Sequence, residues 1–299
     1  MDQENSCHYV CSRGILKSCD IYSHRPISSI RQLINYDFSN VTDGSVIYIC
    51  GSAIPYFIMY LSDSMPCKYI LVSGDCDETI PNDVFNSEQE FLTFLNSPKL
   101  IHWFSQNCIY TTNSKLSQIP IGLDYHTLSE KNHEWGFQKS PSEQEKELQS
   151  VIRKSKPFWE RECKAYANFH FFVDSKYGFD RKHAITQIPQ NCVYYEPYKT
   201  KRLYSWTNQS HYSFVISPHG NGLDCHRTWE AFVLGCIPIV KTSPLDSLLE
   251  GLPVLIVKEW SDITMELLHR TVEEFQGKQF KKEKLYLNYW VDFIQSKKK

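Results

Sequence analysis

Short apolar runs recur along the chain between polar, helix-forming segments, and that alternation predicts parallel sheets joined by crossover helices. In the first half Ser45–Cys50, Lys68–Ser73 and Leu100–Phe104 read as strands, each apolar and each followed by polar residues or glycine. A fourth strand is expected over Ser117–Ile121. Between them lie an apolar helix near Pro55–Ser62 and a helix opened by Ser87-Glu88-Gln89-Glu90, a capping-box spacing that satisfies two free amides. From Lys139 to Lys156 the sequence turns charged and loses its large apolar residues, with Ser142 and Glu145 placed to cap a helix, which marks a domain junction. The alternation then resumes. Strands are expected near Ala165–Phe172, Cys192–Tyr195, Ser213–Ser217, Ile237–Val240 and Val254–Val257, and helices near Arg181–Gln187, Lys201–Gln209, Cys225–Leu234 and Ile263–Gln276. Gly277 is a helix stop, and Leu285, Tyr289, Trp290 and Phe293 form one face of a terminal helix.

The pattern divides the chain into one βαβ system over 1–145, a second over 146–276, and a C-terminal helix over 277–299 expected to pack back on the first. A length of 299 residues fits two domains at about 150 residues each. At 41% hydrophobic and 22% charged the chain is globular rather than disordered. Lys and Arg number 32 against 34 Asp and Glu, a net charge of -2, so no positive field marks a nucleic-acid partner. The apolar stretches fall far short of the ~20 residues that span a bilayer. With the polar N-terminus, this predicts a soluble, cytoplasmic protein without a membrane span. The 11 cysteines scatter from Cys7 to Cys236 without a C-x-x-C pair and read as reduced thiols. Cys7, Cys11 and Cys19 with His8 match no common zinc spacing, and no metal site is expected.

Open α/β sheets bind ligands beyond the carboxyl ends of their strands, which directs attention to the loops after Ser73, Phe104, Ser217 and Val240. After Ser217 the turn His219-Gly220-Asn221-Gly222 leads into the helix near Cys225. A glycine turn lets backbone amides approach an anion, and the helix adds free N–H groups and its positive dipole end, so phosphate binding is expected. His219 is either a donor to a phosphate or sugar oxygen or a residue that bonds only within its own turn. Arg227 presents a forked donor suited to a diphosphate, and Glu230, three residues on, accepts two bonds from adjacent ribose hydroxyls. The same spacing also fits a solvated i,i+3 pair. Arg181 is either a second phosphate contact or a solvated arginine at a helix start.

Phe214, Pro218, Gly220, Arg227, Glu230, Ala231, Gly235, Cys236, Ile237, Pro238 and Trp260, with Leu252-Pro253 and Glu259, stand in a definite order. The run resembles the C-terminal half of exostosin-type glycosyltransferases, whose pattern passes from a phenylalanine strand through a proline–glycine turn and R-x-x-E-A to G-C-I-P-[IV], L-P and a tryptophan. The resemblance implies the GT-B architecture, two Rossmann-like domains with parallel sheets facing a central cleft. It also implies a UDP-sugar donor on the C-terminal domain, a glycan acceptor on the N-terminal one, inversion at the anomeric carbon, and no cofactor or catalytic metal. Asp75-Cys76-Asp77 fits the letters D-x-D but lacks a metal-binding context. Familiar eukaryotic members carry a membrane anchor and stem. Without them, this sequence is similar to the short soluble exostosin-like proteins of large DNA viruses. Xylose leads among the donor sugars, with glucuronate, galactose, N-acetylglucosamine and arabinose open.

Inverting transfer needs a base for the acceptor hydroxyl. Asp75 and Asp77, at the end of a strand, are candidates, as is His126 after Ile119–Asp124; turn placement alone also explains the aspartates. His102, Trp103, Gln106 and Asn107 combine an aromatic platform with amide donors suited to an acceptor sugar, although a tryptophan at this position also fits the core. The alternative to an enzyme is a non-catalytic nucleotide- or glycan-binding module of the same fold.

Overall fold

A computed structural model describes residues 3–171 and 173–298. The first sheet contains β1 (Ser45–Cys50), β2 (Tyr69–Gly74), β3 (Leu100–Ser105) and β4 (Leu116–Gln118), all parallel and in the spatial order β1-β2-β3-β4. The second contains β5 (Glu162–Ala167), β6 (Val193–Tyr195), β7 (Tyr212–Ile216), β8 (Ile237–Lys241) and β9 (Leu255–Val257), also parallel but in the order β6-β5-β7-β8-β9. The apolar runs predict each of these strands. Every residue of β1 and β2 is buried, which is why they read as continuous apolar runs rather than as alternating ones. β5 starts and ends earlier than expected, and Phe172 lies outside the described residues.

The helices are α1 (Ser12–Lys17), α2 (Ile54–Tyr60), α3 (Glu88–Leu95), α4 (His126–Glu130), α5 (Pro141–Lys154), α6 (Phe179–Gln187), α7 (Arg202–Gln209), α8 (His226–Val233), α9 (Asp246–Leu249), α10 (Met265–Gln276) and α11 (Leu287–Gln295). Ser87 caps α3 through the Glu90 amide. The expected Ser142/Glu145 cap of α5 is displaced by one box. Ser140 and Glu143 close it, Pro141 fills the first turn, and Glu145 instead accepts the His8 and Tyr9 amides at 2.9 and 3.0 Å. Residues 145 and 146 therefore lie inside a helix.

The terminal helix also differs in phase. α11 buries Leu287, Trp290 and Ile294, Leu285 precedes it, and Tyr289 is 36% exposed. Its Phe293 meets Phe104 of β3 at 5.1 Å, and its first amide donates to the His8 carbonyl, so the end of the chain closes on the first sheet. Among the described residues no helix is long and apolar enough to cross a membrane, and no group of three or more His, Cys, Asp or Glu side chains is placed to hold a metal ion. All eleven cysteines are free thiols.

Candidate active site

The strand order of the second sheet reverses between β5 and β7, because the chain runs outward to β6 and then crosses back. Loops on either side of such a reversal diverge and leave a crevice at the carboxyl ends of the strands. Here that crevice is a cleft of ≈ 660 Å³, walled on one side by the loops after β5, β6 and β7 and on the other by Asp77, Ile121, Asp124, Glu134 and Trp135. Its size falls within the usual range for small-molecule sites. A hollow of ≈ 600 Å³ between α5 and α7 also contains an arginine, Arg161, but that guanidinium is tied to the carbonyls of Lys156 and Leu234.

Two arginines share the first wall of the cleft. Arg181, in the first turn of α6, donates to the His219 and His170 carbonyls at 3.2 and 3.1 Å. Arg227, in the first turn of α8, lies over the Phe169 ring at 5.2 Å and donates to the Pro218 carbonyl at 3.2 Å. Among the described residues neither has a carboxylate partner within ion-pairing distance. Burial, and after it the charge of Arg227, bring the Arg181 guanidinium down to about 10. Gly220 makes this possible, since a Cβ there would stand 2.8 Å from the Arg181 Nη2.

Gly220, Asn221 and Gly222 of the turn line the cleft, while several backbone groups around them are committed within the protein. The His219 amide donates to Asp180, the Gly220 amide to the Gly222 carbonyl, and the Asp224 amide to Asn107. The Asp224 carboxylate accepts from Cys225 N at the start of α8, from Ile121 N and from the Trp229 indole. These three amides, with that of Cys225, are thus taken up within the protein, and the two arginine side chains on the same wall are cationic donors without an ion pair among the described residues. Asp180 also accepts from the fully buried Trp260 indole at 2.7 Å, so this tryptophan pins the turn against α6. His219 is not on the cleft wall: its Nδ1 bonds the Leu223 carbonyl within its own turn at 2.8 Å.

Glu230 lies one turn beyond Arg227 and lines the cleft beside Trp206 of α7. Burial raises its carboxyl, against the pull of Arg202 and His226. Asp77 stands exposed on the facing wall beside Asn221 and Gly222. Burial of its carboxyl and the neighbouring Glu78 raise it, while His226 and Asn221 oppose. Asp124, also on the wall, is locked by Thr127 and Arg202; burial pushes it up, but His126, His226 and Arg202 together hold it well below the carboxylate range.

Several residues singled out from sequence are placed elsewhere. Asp75 is 7% exposed and spent on Ser28 Oγ at 2.7 Å and Arg13 Nε at 3.5 Å. His126 packs its ring against Asp124 and is not on the cleft wall; burial lowers it while Asp124 raises it. None of the four proposed acceptor contacts lines the cleft. Trp103 is fully buried among Phe85, Phe91 and Phe94 and donates to Ser73 Oγ. His102 bonds Ser117 Oγ at 2.9 Å, and burial, with help from Lys297, takes it down to about 4. Gln106 ties Asp75 N to the Pro120 carbonyl, and Asn107 ties Cys76 O to Asp224 N. The amides of Gln106 and Asn107 brace loops, and the side-chain amides on the cleft wall are those of Asn168, Gln209 and Asn221.

Residues that the sequence reading did not single out are His226, Asp124, Phe169, Trp206 and Arg202, all on the wall. His226 was the most accessible of these, being adjacent to Arg227. Gly235-Cys236-Ile237-Pro238 of the resemblance motif ends α8 and begins β8, and so serves the fold. No protein-family model matches the chain and no curated protein matches it, so the exostosin-like resemblance rests on the motif residues themselves.

Proposed function

We propose that the protein is a glycosyltransferase of GT-B type that moves a sugar from a UDP-sugar to a hydroxyl of a glycan, with inversion. The observation that carries this reading is the pair Arg181 and Arg227, two cations without a carboxylate on one cleft wall, with the Glu230 carboxyl one helical turn away. A ligand that satisfies all three is anionic at one end and rich in hydroxyls beside it. A nucleoside diphosphate has that form: its phosphates take forked charge-assisted bonds from the arginines, and its ribose hydroxyls donate to Glu230. The same guanidinium groups, preorganised where charge develops on the leaving diphosphate, favour departure of UDP. Asp77 on the facing wall accepts hydrogen bonds from the hydroxyls of the acceptor.

The test is incubation of the folded protein with UDP-xylose, UDP-glucuronate, UDP-galactose, UDP-N-acetylglucosamine and UDP-arabinose against a set of glycans. The expected result is UDP release matched by an acceptor gaining one sugar mass. UDP-dependent thermal stabilisation without product for any pair returns the non-catalytic binding module, and neither stabilisation nor product removes both.

A further inference from the structure

Inverting transfer requires one group to accept the hydroxyl proton as the anomeric carbon is attacked from the face opposite the diphosphate. Of the three bases considered from sequence, Asp75 is bound to Arg13, His126 is off the wall, and Asp77 is on it with no partner among the described residues that fixes its proton. Asp124, on the wall, is bound to Thr127 and Arg202.

His226 meets the requirement by geometry. Its Nδ1 lies 2.7 Å from the Gly122 carbonyl oxygen, which only accepts hydrogen bonds, so Nδ1 carries the proton and Nε2 is the lone-pair nitrogen of the neutral ring. That carbonyl is rigidly placed. Gly122 has φ 64°, a Cβ there would stand 2.4 Å from the Val10 carbonyl oxygen, and Leu123 N donates to the same oxygen. The backbone of His226 begins α8 on the donor side while its ring is fastened to the N-terminal rim, so the imidazole spans the seam of the cleft. Successive helical side chains point about 100° apart, which separates the direction of His226 from that of Arg227. The charged and titratable groups around the ring are Asp77, Asp124, Asp224, Glu230 and His126. Four are carboxylates and stabilise an imidazolium once it forms.

Resting on the glycosyltransferase reading, we infer that His226 is the catalytic base. Nε2 takes the acceptor hydroxyl proton as the acceptor oxygen bonds the anomeric carbon. The bond from that carbon to the diphosphate oxygen breaks, its electron pair leaves on the diphosphate held by Arg181 and Arg227, and the imidazolium returns its proton to water.

The experiment compares the wild type with His226→Ala, His226→Asn and Asp77→Asn in single-turnover transfer and in UDP binding, with and without added imidazole. Asparagine retains a donor at the Nδ1 position toward Gly122 and lacks Nε2, so it separates folding from chemistry. The expected result is a fall of roughly 10²–10⁴-fold in both His226 variants with UDP affinity within about threefold of wild type, partial recovery of His226→Ala by imidazole, and a smaller loss in Asp77→Asn. His226→Asn turning over at near the wild-type rate, imidazole failing to restore His226→Ala, or Asp77→Asn showing the larger loss overturns the assignment while leaving the transferase reading intact. A wild-type protein that turns over no donor overturns the transferase reading, and the base assignment with it.

Discussion

The two sheets share one construction rule and differ in strand order, and that difference decides where ligand chemistry is available. The first sheet runs monotonically, β1 to β4, so its loops lie side by side and bond to one another. Asp75, Gln106 and Asn107 are each buried and each committed to a neighbouring loop. In the second sheet the reversal between β5 and β7 parts the loops, and the charged groups there, Arg181 and Arg227, face a cleft without an anion of their own. On the monotonic rim the polar residues at strand ends mostly brace, with Asp77 alone of the sequence candidates there reaching the cleft, whereas the reversal leaves two arginines without an ion pair among the described residues.

The sharpest way to break this contrast is at Asp75. Asp75→Ala leaves Arg13, 5% exposed, with the half-exposed Glu130 as its remaining carboxylate, and a loss of about 3 kcal/mol is expected in denaturant unfolding with UDP affinity unchanged. Unaltered stability with lost UDP binding would invert the roles of the rims. Arg227→Ala should do the opposite, weakening UDP by about 2–5 kcal/mol in calorimetry while the melting temperature of the free protein holds or rises, since the Arg181–Arg227 repulsion is relieved.

His102 sharpens the structural side of the comparison. Its folded pKa of about 4 lies below an unfolded value near 6.5, so its contribution is complete above about pH 6.5 and disappears as pH falls toward 4. The total is about 3 kcal/mol, and His102→Gln should flatten the acid limb of a stability-against-pH curve by that amount. The smallest expected effect is at Trp260→Phe, which leaves the Asp180 carboxylate short of one buried bond. It should cost about 1–3 kcal/mol of stability and weaken UDP only modestly, through the loosened turn.

The strands were legible because a strand buried on both faces writes a continuous apolar run, as β1 and β2 do. The cap of α5 was read one box late and Tyr289 of α11 was placed on the wrong face because short-range spacing admits neighbouring registers, and the choice between them is made by distant partners such as His8. The same limit applies to the site. Asp75 and Asp77 look equivalent in Gly74-Asp75-Cys76-Asp77, yet Arg13 and Ser28, far earlier in the chain, bury the first and not the second. Trp103, His102, Gln106 and Asn107 have the composition of a sugar platform, and only the packing of Phe85, Phe91 and Phe94 and the bonds of the adjoining loops turn them inward. Arg227 and Glu230 were placed on a common wall because both lie on one short helix, where local spacing is sufficient to set their relative positions.

The central claim is that Arg181 and Arg227 together hold a diphosphate. Calorimetric titration of UDP into the wild type and into the Arg181→Ala/Arg227→Ala double variant, both verified as folded, addresses it directly. Saturable one-to-one binding by the wild type that vanishes in the double variant is the predicted result. Equal affinity in the two proteins, or a folded wild type that takes up no UDP, would contradict it.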